Sequence, residues 1–132
     1  MSNYTRLPGT PQSVEKARNL AANTLGPNHP AAPDVILLVS EAVTNAIQHT
    51  RSKRATFAFV VIDDHPRVRV EVIDDGADGV PQLIPSPDDC LLESGRGIFL
   101  IDTIASKWGY DRYGSQGCLW FEVHYLSDAT ES

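Results

Sequence analysis

The sequence predicts an α+β fold, a single two-layer sandwich of a mixed, mostly antiparallel sheet with about three helices on one face. Three observations predict it. The stretch "RVRVEVID" at 67–74 alternates apolar and charged residues, the signature of a strand buried on one side only. The run "PDVILLVSEAVTNAIQH" at 33–49 repeats its apolar residues with the period of a helix. The elements also come in blocks, helix, helix, strand, strand, loop, helix, strand, strand, which favours helices collected on one face of one sheet. At 132 residues the chain suits a single domain whose core needs no disulfide or metal to hold it.

The elements follow in order. A short strand is expected near Tyr4 to Leu7. In 10–25, "TPQSVEKARNLAANTL", Thr10 fits an N-cap and Pro11 the first helical position, where its missing N–H costs nothing. Val14, Ala17, Leu20, Ala21 and Leu25 form that helix's buried stripe, and Gly26-Pro27 ends it. The second helix spans Pro33 to His49, with Val35, Ile36, Val39, Ala42, Val43, Ala46 and Ile47 on one broad apolar face. Glu41, Asn45 and His49, four residues apart, form a polar ridge along the border of that face.

Residues 55–62, "ATFAFVVI", read as a strand, "DDHP" as a turn, and 67–74 as its hairpin partner, with Val68, Val70 and Val72 inward. The strand runs out into "DDGADG". Residues 80–94 carry three prolines and no period, so they read as a loop, of a length that is usually either a functional lid or disordered. A third helix, "GRGIFLIDTIASKW", starts at Gly95 and buries Ile98, Ile101, Ile104, Ala105 and Trp108. Residues 117–125, "GCLWFEVHY", close the sheet with Leu119, Phe121, Val123 and Tyr125 on one face.

Composition narrows the function. A net charge of -6 gives no electrostatic case for nucleic acid or an anionic membrane surface. No apolar segment approaches the roughly 20 residues that span a bilayer, and no basic-apolar leader opens the chain, so a cytoplasmic protein is expected. Cys90 and Cys118 lack any C-x-x-C spacing and read as free thiols, and the four histidines lie too far apart for a metal motif.

The chemistry sits in three segments that each suit a nucleotide. A carboxylate at the bottom of an apolar pocket, a role Asp74 fits, accepts a hydrogen bond from an exocyclic amine and so selects adenine over guanine, which offers a carbonyl there. Gly95 and Gly97 let backbone approach phosphates at a helix N-terminus, whose free N–H groups attract anions. The Asn45 carboxamide offers the single oxygen ligand that Mg²⁺ takes while phosphates and water fill its other positions. Each segment alone is weak, because G-x-G is common at helix starts and E-x-x-x-N is common on surface helices. Their order and spacing carry the weight.

In these segments the sequence resembles the Bergerat-fold, histidine kinase-like ATPases, and within them the small anti-sigma factor serine/threonine kinases of actinobacterial type. "SEAVTNAIQH" is similar to their N box, "VEVIDDGADG" to their first glycine box, "GRGIFLIDTIASKWGY" to their second, and "GCLWFEV" to their final strand. The resemblance implies that Asn45 holds Mg²⁺, that Asp74 reads the adenine amine, and that Gly76, Gly95 and Gly97 line ATP under the lid. It extends the ATP-lining set to His49, Arg96, Ile98 and Cys118, and makes Glu41 the general base toward a serine hydroxyl or water. It further implies a sigma factor and an anti-anti-sigma protein as partners, with a homodimer possible.

The pattern departs from the family at three places. Asp78 stands where the first glycine box has its second glycine, Cys118 where the last strand often has threonine, and Glu93 where some active kinases have arginine two residues before G-x-G. These departures define the alternative reading, a nucleotide-dependent protein-binding module without kinase activity.

Overall fold

The computed structural model describes residues 2–48, 56–74, 93–114 and 116–126. Five strands form one sheet in the order β1-β2-β3-β5-β4: β1 is Ser2–Pro8, β2 Thr56–Asp64, β3 Arg67–Asp74, β4 Lys107–Tyr113 and β5 Gln116–His124. Every pairing among the described residues is antiparallel, so the mixed character expected from the sequence has no parallel pair there. Three helices, α1 (Gln12–Leu25), α2 (Ala32–Gln48) and α3 (Glu93–Ile104), cover one face, with α2 packed against both of the others. None of them is long and apolar enough to cross a membrane.

The hairpin register shows why β3 alternates. Val68, Val70 and Val72 lie opposite Val123, Phe121 and Leu119 of β5 and, on the other side, opposite Asp63, Val61 and Phe59 of β2. The three valines are buried beneath the helices, while Arg67, Arg69 and Glu71 point to the open face. Val35, Leu38, Val39, Ala42 and Val43 of α2 fill the space above them. Leu38 belongs to this core although the sequence stripe omitted it.

Several boundaries differ from expectation, each for a local reason. Pro11, not Thr10, occupies the N-cap position of α1 and supplies no side-chain bond; the Thr10 carbonyl instead accepts the Ser13 N–H, and the buried Ser13 hydroxyl donates to the Pro8 carbonyl. β1 is longer than the segment 4–7 because its whole length pairs with β2, and Asn3 of β1 donates to Thr24 of α1 at 3.2 Å. Asp63 and Asp64 continue β2, so the hairpin turn is His65-Pro66 alone. The third helix begins two residues before Gly95 and stops at Ile104; Trp108, expected on it, lies on β4 opposite Phe121 and donates from Nε1 to Asp102 at 2.7 Å.

The N-terminal strand is at the far edge from Trp120 and leaves it uncovered. The Arg69 guanidinium lies over the Trp120 ring, 4.3 Å from its centre, and bridges Glu71 at 2.8 Å and Glu122 at 3.0 Å. That layer of charge shields the indole.

At the hairpin end, Tyr125 donates to Asp63 Oδ1 at 2.8 Å, while the nearly buried His29 sets Nε2 3.0 Å from Asp63 Oδ2 and accepts the Ala31 N–H on Nδ1. The contact clasps the α1–α2 connector to the sheet. Burial, the bond to Asp63 and the Asp63 charge push the Tyr125 phenol up to about 12. Burial, and then Glu71, push the Cys118 thiol up to about 11 from 9.0. Both groups bind their proton more tightly folded than unfolded, so their contribution is whole below the unfolded values and is lost as pH rises through the folded ones. The urea midpoint should therefore hold up to about pH 9 and fall between about pH 9 and 12, less steeply in Tyr125→Phe; a native midpoint that stays flat to pH 12 would refute this.

Candidate nucleotide site

Asp74 is the last residue of β3 and, by alternation, lies on the same face as Val68, Val70 and Val72. It stands half-buried where the apolar sheet face meets solvent. Its neighbour across β5 is Gly117, and the neighbour of Gly117 across β4 is Arg112, so the three form a row over the helix-covered face. Gly117 is required by contact rather than by backbone angle. A Cβ built there would meet Cζ of Tyr110 at 2.6 Å and Cε1 at 2.9 Å, with the Tyr110 hydroxyl closer still. The ring of Tyr110 thus leans along β4 until its oxygen rests on Gly117, between Asp74 and Arg112.

That oxygen is buried, and Arg112 is the side-chain donor that reaches it among the described residues. Burial and the Asp74 charge raise the Tyr110 pKa, against the opposing pull of Arg112. The hydroxyl therefore keeps its proton at neutral pH and remains a donor.

The second half of the site is the seam between α2 and α3. Asn45 is buried at 4% exposure, and Glu41, one turn earlier, is half-buried. A Cβ on Gly97 would lie 3.1 Å from Glu41 Oε1 and 3.5 Å from its Cβ and backbone oxygen. Gly97 therefore lets α3 pass close to the Glu41 side chain. Because α3 starts at Glu93, both glycines lie inside its first two turns instead of preceding it, and the backbone N–H groups of 93–96 have no acceptor within the helix. The positive end of α3 is thus next to the Glu41 carboxylate and suits an anion. Ile98, at 4% exposure, packs into the core beside Gly97.

The structure accordingly brings Glu41 to Gly97, and Asp74 to Gly117, Tyr110 and Arg112, while α2, which carries Glu41 and Asn45, packs on both α3 and β3. Cys118 pairs with Ile73 and by alternation shares the open face with Trp120, while Gly117 is the last-strand residue on the same face as Asp74. His49 and Gly76, along with 80–92 of the expected lid, lie outside the described residues, and of Gly95 and Arg96 only the backbone, in α3, is described. Sequence reasoning missed Tyr110 and Arg112.

The described residues thus set an acid at the rim of an apolar interior, a buried carboxamide, and a helix N-terminus beside a second acid. No cluster of three or more His, Cys, Asp or Glu among the described residues forms a metal cage.

The chain belongs to the histidine kinase-like ATPase domain family, whose model matches residues 7–123. Nucleotide binding goes with that family. The chain is similar to an uncharacterized protein of Streptomyces coelicolor, 36% identical over 80 residues that cover 59% of this chain and 73% of that protein. It is also similar to the serine-protein kinase RsbW of Oceanobacillus iheyensis, 29% identical over 124 residues that cover 79% of this chain and 77% of that one. Among solved structures, the RsbU and RsbW domains of Rv1364c from Mycobacterium tuberculosis match with a TM-score of 0.65 at 14% identity, over 96% of this chain and 35% of that chain. The likeness to that structure is one of fold, and this chain spans about a third of its length.

Proposed function

We propose that this chain is a cytoplasmic, single-domain serine/threonine kinase of the anti-sigma factor type, which binds a sigma factor and phosphorylates an anti-anti-sigma partner with Mg-ATP. The contact between Glu41 and Gly97 carries the reading, because it sets a carboxylate beside the N–H groups that would hold phosphate. Asp74 would accept the adenine amine and Asn45 would give Mg²⁺ its protein oxygen. Bound Mg-ATP supplies the phosphoryl group and the charge that offsets its transfer. Glu41 takes the proton of the partner's serine or threonine hydroxyl as that oxygen bonds to phosphorus and the bond to ADP breaks. The similarity to a serine-protein kinase over most of both chains supports the assignment. A homodimer is part of the proposal.

A second reading, a nucleotide-dependent binding module, is favoured by one observation: the last strand sets Cys118 on the open face and Gly117 on the same face as Asp74. Incubation with γ-labelled ATP, Mg²⁺ and the anti-anti-sigma protein separates the two. Label on a serine or threonine of that partner is expected. ATP binding without label on it would give the protein to the second reading.

A further inference from the structure

The buried hydroxyl of Tyr110 has Arg112 beside its oxygen, a group that can only donate, so the hydroxyl's own proton has no acceptor of ordinary geometry among the described residues. A buried hydroxyl proton without an acceptor is costly, so folded proteins rarely keep one unless a ligand or ordered water completes it. Its position is imposed: the ring rests on Gly117, where any side chain would displace it, and Gly117 is the strand neighbour of Asp74. The hydroxyl is thus held beside the carboxylate, on the same face of the sheet, at the end where β3 leaves the apolar layer.

We propose that Tyr110 is a specificity-determining residue of the nucleotide site, donating its hydroxyl proton to N1 of adenine, directly or through one water, while Asp74 accepts from the neighbouring 6-amino group. The inference rests on the reading of Asp74 as the base contact. Adenine presents a donor and an acceptor side by side on that edge, and Asp74 with Tyr110 presents the complementary acceptor and donor. Guanine presents the reverse, a carbonyl and an N1–H, and meets a mismatch at both positions. Tyr110 keeps the proton it needs, since burial and the Asp74 charge both raise its pKa. The arrangement uses a residue of β4 and depends on the bare Gly117 between β4 and β3, so base selection is shared across three adjacent strands.

The test compares ATP with 1-deaza-ATP, in which N1 is replaced by C–H, on the native protein, Tyr110→Phe and Asp74→Asn by calorimetry. Tyr110→Phe keeps the ring on Gly117 and removes only the oxygen, so it should fold as the native chain does. The native protein should bind ATP about tenfold more tightly than 1-deaza-ATP, and Tyr110→Phe should lose that preference by weakening ATP alone. Unchanged ATP affinity in Tyr110→Phe, or an equal loss for both ligands, overturns the inference while leaving Asp74 as the base contact. Native-like ATP binding by Asp74→Asn, or no ATP binding by the native protein, overturns the underlying reading and the inference with it.

Discussion

Asp74→Asn should weaken ATP binding by about thirtyfold or more, a loss of ~2 kcal/mol for replacing a charged hydrogen-bond acceptor with a neutral one. The carboxylate is acceptor-only, whereas the amide carries two donors, one of which can point at the adenine amine. The substitution does not threaten the fold. Asp74 is half-buried at the end of β3, outside the core cluster that holds Val68, Val70 and Val72. The thermal midpoint should therefore move by no more than a surface substitution moves it, within about 0.5 kcal/mol of stability. Calorimetry with Mg-ATP and a parallel thermal melt separate the two effects. A variant that binds ATP like the native protein would remove Asp74 from the base pocket, and one that melts far lower would make its role structural.

The sheet and the first two helices were legible because each buries one face against one layer. A strand with water on one side must alternate, and 67–74 does so throughout; a helix lying on that sheet must repeat its apolar residues every three or four, and 33–49 does. The junction of α3 with β4 was not legible. Trp108 continues the stripe of Ile98, Ile101 and Ile104 at helical spacing, yet it also begins the inward alternation of Trp108, Tyr110 and Arg112 along a strand. One residue satisfied both periods, and the pairing of β4 with β5 decided between them. That ambiguity hid Tyr110 and Arg112.

Cys118 is a different case, because the signal was present. With Leu119, Phe121 and Val123 facing the core, parity alone puts Cys118 on the open face, and the same parity puts Asp74 with Val72 on the covered one. A strand position matched by family pattern still has to agree with the side of the sheet it faces. The close approach of Gly97 to Glu41 had no sequence signal beyond the glycine itself, since it depends on how α2 and α3 cross.

That crossing produces the last prediction. Glu41→Gln should cut phosphoryl transfer by about 10²–10⁴-fold, the usual worth of a positioned base, while ATP affinity stays native, because the amide keeps the shape and loses only the proton acceptor. Gly97→Ala approaches the same group from the other side. The added methyl would sit 3.1 Å from Glu41 Oε1, the movable end of that side chain, and at an ordinary 3.5 Å from its Cβ and backbone oxygen. The carboxylate can yield by a few tenths of an ångström, and alanine is favoured over glycine inside a helix by about 1 kcal/mol. Stability should therefore hold or rise slightly in Gly97→Ala while transfer falls, since the base no longer rests where the hydroxyl meets it. Thermal melts and transfer of γ-label to the anti-anti-sigma partner read the two quantities independently. Full transfer by Glu41→Gln would take the base role from Glu41. A Gly97→Ala protein that lost stability and activity together would mean that Gly97 serves the packing of α2 on α3 and nothing more specific.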